Sequence, residues 1–142
     1  MVKVMKRCVF AVLFLMIAFM AGAQETVKGP GKIYLFGVSQ QLTDSVIYIT
    51  AIHEIDSIDL NKKTSFLPYR AAFSYQLESF LEDKLYLANQ TSCVFYSEKR
   101  KKLSKELYKV KKFYLDNPEK KVVILNETDF QFLHPVDVLQ DE

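Results

Sequence analysis

Two short stretches hold both histidines of the chain, each with carboxylates close by: His53-Glu54-Ile55-Asp56 and His134-Pro135-Val136-Asp137. Imidazole beside carboxylate is raw material for acid–base catalysis or for metal binding. On a strand, Glu54 and Asp56 share one face and His53 takes the other, so the first stretch forms no compact site by itself. A combined site requires the C-terminal stretch to fold back beside that strand. No metal-ligand spacing pattern is present, so no metal and no cofactor is expected, and polar residues at element ends are the plain reading. An enzyme built on His53 and Glu54 or on His134 and Asp137 is the alternative to a protein that only binds.

Other devices of catalysis are missing from the sequence. There is no GxGxxG, no GxxxxGK[ST] and no GxSxG, and beyond residue 23 the glycines are Gly29, Gly31 and Gly37, none of which precedes a helix. Nucleotide binding and hydrolase-type nucleophilic catalysis lack their usual backbone devices. Cys93 sits in Thr-Ser-Cys-Val-Phe-Tyr-Ser, which reads as a short buried strand where a thiol packs as a small hydrophobe. A reactive thiol or an intermolecular disulfide is the other reading of Cys93.

The cations carry more information. From Lys99 to Lys121 there are ten basic residues against Glu106, Asp116 and Glu119, a local charge of +7. Lys99, Arg100, Lys101, Lys102, Lys105, Lys109 and Lys112 fall on one helical stretch, and such a face is commonly just solvated surface. The sharper reading is contact with an anionic partner: a phospholipid or lipopolysaccharide surface, an acidic polymer, or the acidic part of another copy. The first four cations sit at the positive end of the helix dipole, where they oppose it. That local penalty fits a surface shaped for something other than helix stability.

The N-terminus sets the compartment. Lys3, Lys6 and Arg7 precede an apolar run from Cys8 to Met20 and the small tripeptide Ala21-Gly22-Ala23, the three-part layout of a secretory signal peptide over residues 1–23. The run is shorter than the roughly 18 to 20 residues that cross a bilayer core, so cleavage before Gln24, with no transmembrane segment remaining, is expected. Removing three of the 19 basic residues and none of the 17 acidic ones leaves a formal charge of −1, so the sequence pI of about 8.4 describes the precursor. A periplasmic or secreted destination disfavours nucleic acid as a partner. Cys93 is then the one cysteine left, and the core must hold without an internal disulfide.

Residues 24–31 form a polar leader and residues 32–142 a single expected domain, with eight Tyr and eight Phe after residue 23 to fill a core. Ile33 to Val38 and Val46 to Ile55 are rich in strand formers and are separated by a polar gap, which predicts an antiparallel hairpin. Pro68 opens a helix to about Asn89, with Phe73, Leu77, Phe80, Leu81 and Ala88 at helical spacing. A strand at 91–97 follows, then a helix with Ser97 as N-cap and Asp116-Asn117-Pro118 as its stop. Leu103, Leu107, Val110 and Tyr114 form its buried stripe. Val122 to Leu125 reads as a strand buried on both faces, and Phe130 to Leu133 as a short edge strand ended by Pro135. The strands at 45–55, 91–97 and 121–127 are expected to be parallel neighbours or near neighbours. The fold class is α+β, an α/β-like two-layer arrangement: hairpin, then α-β-α-β, four to five strands, with two helices on one face.

Ala-Gly-Ala-Gln at 21–24, the hairpin KIYLFGVSQQLTDSVIYIT and the junction TSCVFYSEKRKK together give the chain a texture that resembles small exported proteins of unknown function in Bacteroidetes-type bacteria. The resemblance implies an envelope location and carries over no site residue. The expectation is an exported, non-catalytic binding or interaction module of the cell envelope, which meets an anionic envelope component or a protein partner through the lysine-rich helix. Its alternative is a small periplasmic enzyme at His53/Glu54 or His134/Asp137. Oligomeric state is not readable from the sequence.

Overall fold

The computed structural model describes residues 31–138; the signal-peptide reading, and all of the polar leader but Gly31, fall outside them. Along the chain run β1 (Lys32–Gln40), β2 (Val46–Thr50), β3 (His53–Asp56), α1 (Arg70–Leu85), β4 (Thr91–Ser97), α2 (Arg100–Leu115), β5 (Lys121–Leu125) and the short α3 (Pro135–Val138).

The hairpin forms as expected, with Val38 opposite Ile49 and Gln40 opposite Ile47. Its second arm is two strands instead of one. The break lies at Ala51-Ile52, where the Gly37 N–H donates to Thr50 Oγ1 (2.9 Å) and Thr50 Oγ1 in turn donates to the Ala51 carbonyl (2.9 Å). A threonine side chain has taken over a ladder position, so the backbone steps out of register before β3 resumes pairing with β1 at Leu35 and His53. β4 pairs antiparallel with β1 from Tyr34 to Gln40 and thus occupies its other edge. β5 pairs parallel with β2. The order across the sheet is β4, β1, β2/β3, β5, a mixed five-stranded sheet. β2, β4 and β5 share one direction, since β2 and β4 both oppose β1.

The α+β class and the hairpin-then-α-β-α-β order hold, but the two helices lie on opposite faces of the sheet. Phe73, Leu77 and Leu81 of α1 pack with Ile33, Leu35, Ile55 and Val94. Leu103, Leu107, Val110 and Tyr114 of α2 pack with Phe36, Val38, Ile47 and Ile49. These are alternate residues of the same strands, hence opposite faces. Strand order supplies the reason. The chain crosses from β3 over β1 to β4, then returns across the whole sheet to β5, and right-handed crossovers made in opposite directions must use opposite faces.

Several local expectations change. α1 begins at Arg70, after Tyr69 in a left-handed conformation (φ 59°), and not at Pro68. Its C-terminal residue is Leu85, because Tyr86 turns left-handed (φ 56°) and the Leu87 N–H closes back on the Leu81 carbonyl (3.0 Å). Ser97 is the last residue of β4 and not the cap of α2; its Oγ accepts from the Lys99 N–H (3.1 Å), and Lys99 holds the N-cap position without a side-chain bond. β5 is an edge strand with Leu125 buried and Ile124 exposed, so burial on both faces does not apply. The tail residues Phe130 to Leu133 form no strand, and Pro135 starts α3.

Gly37 marks where the core closes most tightly. A Cβ there would lie 2.7 Å from Leu77 and 2.9 Å from Phe132, so α1 and the tail both come down on β1 where a side chain is absent.

Candidate functional site

The tail does fold back beside β3, and it is pinned in two places. The Gln76 side chain accepts from the Leu133 N–H (2.9 Å) and donates to the Leu133 carbonyl (2.8 Å), standing in for a neighbouring strand. His53 Nε2 lies 3.1 Å from the Phe130 carbonyl, and the ring meets Phe130 and Phe132 edge-on at 6.2 and 5.5 Å. Phe130 and Phe132 are thereby part of the core, a role that local patterning did not show.

This return creates a cleft of about 530 Å³ whose lining includes Glu54, Asp56, His134 and Asp137, so the two histidine–carboxylate stretches do meet. The chemistry of the meeting is weak. Lys32 Nζ sits 2.9 Å from Glu54 Oε1 and 3.9 Å from Asp56 Oδ1. The hydrogen bond from Lys32 holds the Glu54 carboxyl below the ordinary range, and that same bond raises the Lys32 ammonium, both against proton exchange near neutrality. His134 Nδ1 accepts from the Val136 N–H (3.2 Å) at the start of α3. His53 is buried beneath the cleft and does not line it. Among the described residues no group of three His, Cys, Asp or Glu is placed to hold a metal.

His53 is instead a structural histidine with a pH signature. Burial lowers its pKa, against smaller opposing contributions from the Phe130 carbonyl, the Glu127 charge and the Ala51 backbone, and its Nδ1 has no hydrogen-bond partner among the described residues. Below about pH 6.5 the unfolded chain protonates this imidazole while the folded chain does not, so folding stability falls as pH drops from there to the folded-state pKa. His53→Phe should flatten that slope in urea titrations run between about pH 7 and pH 5; an unchanged slope would place the titration elsewhere.

Cys93, in the edge strand β4, is exposed and not a core residue. Desolvation by the surrounding chain nevertheless raises its thiol pKa, and the charge of Arg70 offsets this only in part. The raised pKa argues against a reactive thiolate.

α2 presents the other candidate. Its buried stripe faces the sheet as the periodicity predicts, with Leu103 at 1 % exposure. Lys99, Arg100, Lys101, Lys102, Lys105, Lys109 and Lys112 are all exposed. At 100° per residue, Lys101, Lys105 and Lys112 point within about 30° of the direction opposite that stripe. Among the described residues Lys109 alone of the seven reaches a carboxylate, Glu106 at 3.6 Å, and Arg100 lies over the Tyr34 ring at 5.9 Å. The first turn of α2 has no acidic residue to offset the cations.

Sequence reasoning passed over the aromatic part of this surface. Tyr108 is 67 % exposed and Leu115 65 %, both on the solvent side among the lysines, and Phe113 is 73 % exposed toward β4. The angular position of each residue relative to Leu103 was the available signal. No helix among the described residues is long and apolar enough to cross a membrane. Comparison with models of known families, with curated proteins and with solved structures finds no match, so function has to be read from the chain's own surface.

Proposed function

We propose that this protein is an exported, non-catalytic binding module of the bacterial cell envelope that docks on an anionic lipid surface through the outer face of α2. The observation that carries the reading is that face itself: Lys101, Lys102, Lys105, Lys109 and Lys112 are exposed on the side of α2 turned away from the sheet, Lys109 alone of them with a carboxylate in reach among the described residues, and Tyr108 and Leu115 lie among them. Cations near an anionic leaflet contribute about 1 kcal/mol each, and amphipathic aromatic rings sit well at the headgroup level. Neither gain needs a cavity or a catalytic group. The tripartite N-terminus supports the compartment. The cleft between β3 and the tail is the weaker reading, because Lys32 engages Glu54 and Asp56 and His53 stays buried below it, which leaves His134 and Asp137 alone to do chemistry there.

Sedimentation with phosphatidylglycerol vesicles against phosphatidylcholine vesicles tests the reading. Retention on the anionic vesicles, reversed by salt because exposed charges are screened within about 10 Å at 0.1 M, is expected. Equal retention on both vesicles, or on neither, would defeat it.

A further inference from the structure

β4 is a sheet edge whose own residues carry none of the usual blunting devices. Its seven residues, Thr-Ser-Cys-Val-Phe-Tyr-Ser, include no charge and no proline, and among the described residues no strand pairs with its outer side. Natural edge strands are normally blunted by lysine, proline or a bulge. The opposite edge follows that rule: β5 has five residues and opens on Lys121.

The hydrogen-bonding parity of the edge is fixed by one contact. The Ser92 N–H points away from β1 and donates to Glu78 Oε1 of α1 (3.1 Å). By alternation Val94 and Tyr96 also direct their backbone groups outward, while Thr91, Cys93, Phe95 and Ser97 pair with β1. An antiparallel strand can therefore join with Val94 at its centre and Ser92 opposite the incoming Tyr96.

α1 lies over β4 and β1, close to this edge. Arg70, Ala71, Ser74, Tyr75 and Glu78 line an open groove of about 720 Å³ beside Ser92 and Cys93. Arg70, Ser74 and Glu78 are spaced i, i+4, i+8 on one stripe: a cation at one end, a carboxylate at the other, a small residue between. The stripe from 70 to 78 is about 12 Å long at 1.5 Å per residue. Ser92 to Tyr96 spans about 13 Å at 3.3 Å per residue. A single two-fold axis thus passes by Ser74 and Val94 together, and it exchanges Arg70 with Glu78 as it exchanges Ser92 with Tyr96.

We infer that a second copy of this chain docks antiparallel along the β4 edge, continuing the sheet through Ser92–Tyr96 of both copies and pairing Arg70 of each α1 with Glu78 of the other. The occupant is argued from charge: the stripe is complementary to itself under the axis that the strand parity requires, which is the hallmark of an isologous contact. On pairing, the Ser92 N–H passes from Glu78 to the partner's Tyr96 carbonyl, and the released carboxylate meets the partner's Arg70. On the other face, the groove of about 410 Å³ lined by Val38, Cys93, Phe95, Val110 and Phe113 joins its counterpart across the axis, and Lys109 at its rim is already matched by Glu106. Because the axis is normal to the sheet, both α2 helices face the same side.

Sedimentation velocity on the mature chain, from micromolar to a few hundred micromolar, reads the result. Wild type should dimerise; Arg70→Glu and Glu78→Arg should each weaken the dimer by about ten-fold or more, as like charges then meet across the axis, and the double exchange should restore it to within about three-fold. Far-UV circular dichroism checks that each variant folds; Arg70 makes no ion pair among the described residues, so that variant stays informative if Glu78→Arg unfolds. Cys93 adds an independent readout. In this register it lies diagonal to its mate, about 7–8 Å away and beyond disulfide reach, so the dimer should persist in reductant while thiol labelling slows as concentration rises. A monomer at all concentrations, a dimer indifferent to both charge reversals, or reversals that weaken it without rescue by the exchange would overturn the inference.

Discussion

Replacing Lys101, Lys105, Lys109 and Lys112 together with glutamine should lower affinity for anionic vesicles by about a thousand-fold, since about 1 kcal/mol per lysine near the surface sums to about 4 kcal/mol. The same protein should melt close to wild type. All four side chains are exposed, and one of them has an ion-pair partner among the described residues, an exposed i,i+3 contact to Glu106 at 3.6 Å. Surface substitutions of this kind stay within about 0.5 kcal/mol each, and a helical pair contributes about 0.3–0.5 kcal/mol at most. Glutamine keeps the length and the helix propensity of lysine, so a change in binding without a change in melting isolates charge. If affinity survives, the face is solvated surface.

Phe36→Ala should cost about 3–5 kcal/mol of stability, enough to lower the melting temperature by more than about 10 °C. Phe36 has no exposed surface and stacks on Phe95 with ring centres 4.9 Å apart and planes 7° apart. Its neighbours Ile47, Ile49 and Leu103 are held by the sheet ladder and by α2, so the site cannot collapse onto the vacated volume. Truncation should thus carry both the lost transfer energy and a cavity cost. A melting shift of only a few degrees would show that α2 relaxes onto the sheet, and the position of its cationic face would then be softer than the packing implies.

The elements were legible because their signals are local. Strand formers on either side of the Gln41–Ser45 turn, and the four-three-four stepping of Leu103, Leu107, Val110 and Tyr114, need no information from elsewhere in the chain. The placement of the helices on opposite faces was not local. It was foreshadowed by β1, where Ile33 and Leu35 alternate with Phe36 and Val38 and make both faces apolar, but it follows from strand order, which periodicity does not contain. Cys93 was misplaced for the same reason: TSCVFYS reads as buried until β4 is known to be the edge. The meeting of the histidine stretches depends on Gln76, a helix-surface amide whose grip on Leu133 has no sequence signature. The exposure of the lysines was legible, since it follows from burial of the stripe behind them, whereas Tyr108, Phe113 and Leu115 on the same helix surface were not.

The proposed docking face can be probed directly, because the chain contains no tryptophan. Tyr108→Trp places one indole among the lysines of α2, and Tyr86→Trp, exposed (88 % against 67 %) at the C-cap of α1 and outside the groove beside β4, serves as the control. With phosphatidylglycerol vesicles the emission of the α2 variant should shift to the blue and lose access to aqueous quencher, and salt should reverse both changes; the α1 variant should not respond. A response from Tyr86→Trp with none from Tyr108→Trp, or silence from both while the protein sediments with the vesicles, would contradict the assignment of α2 as the surface that binds.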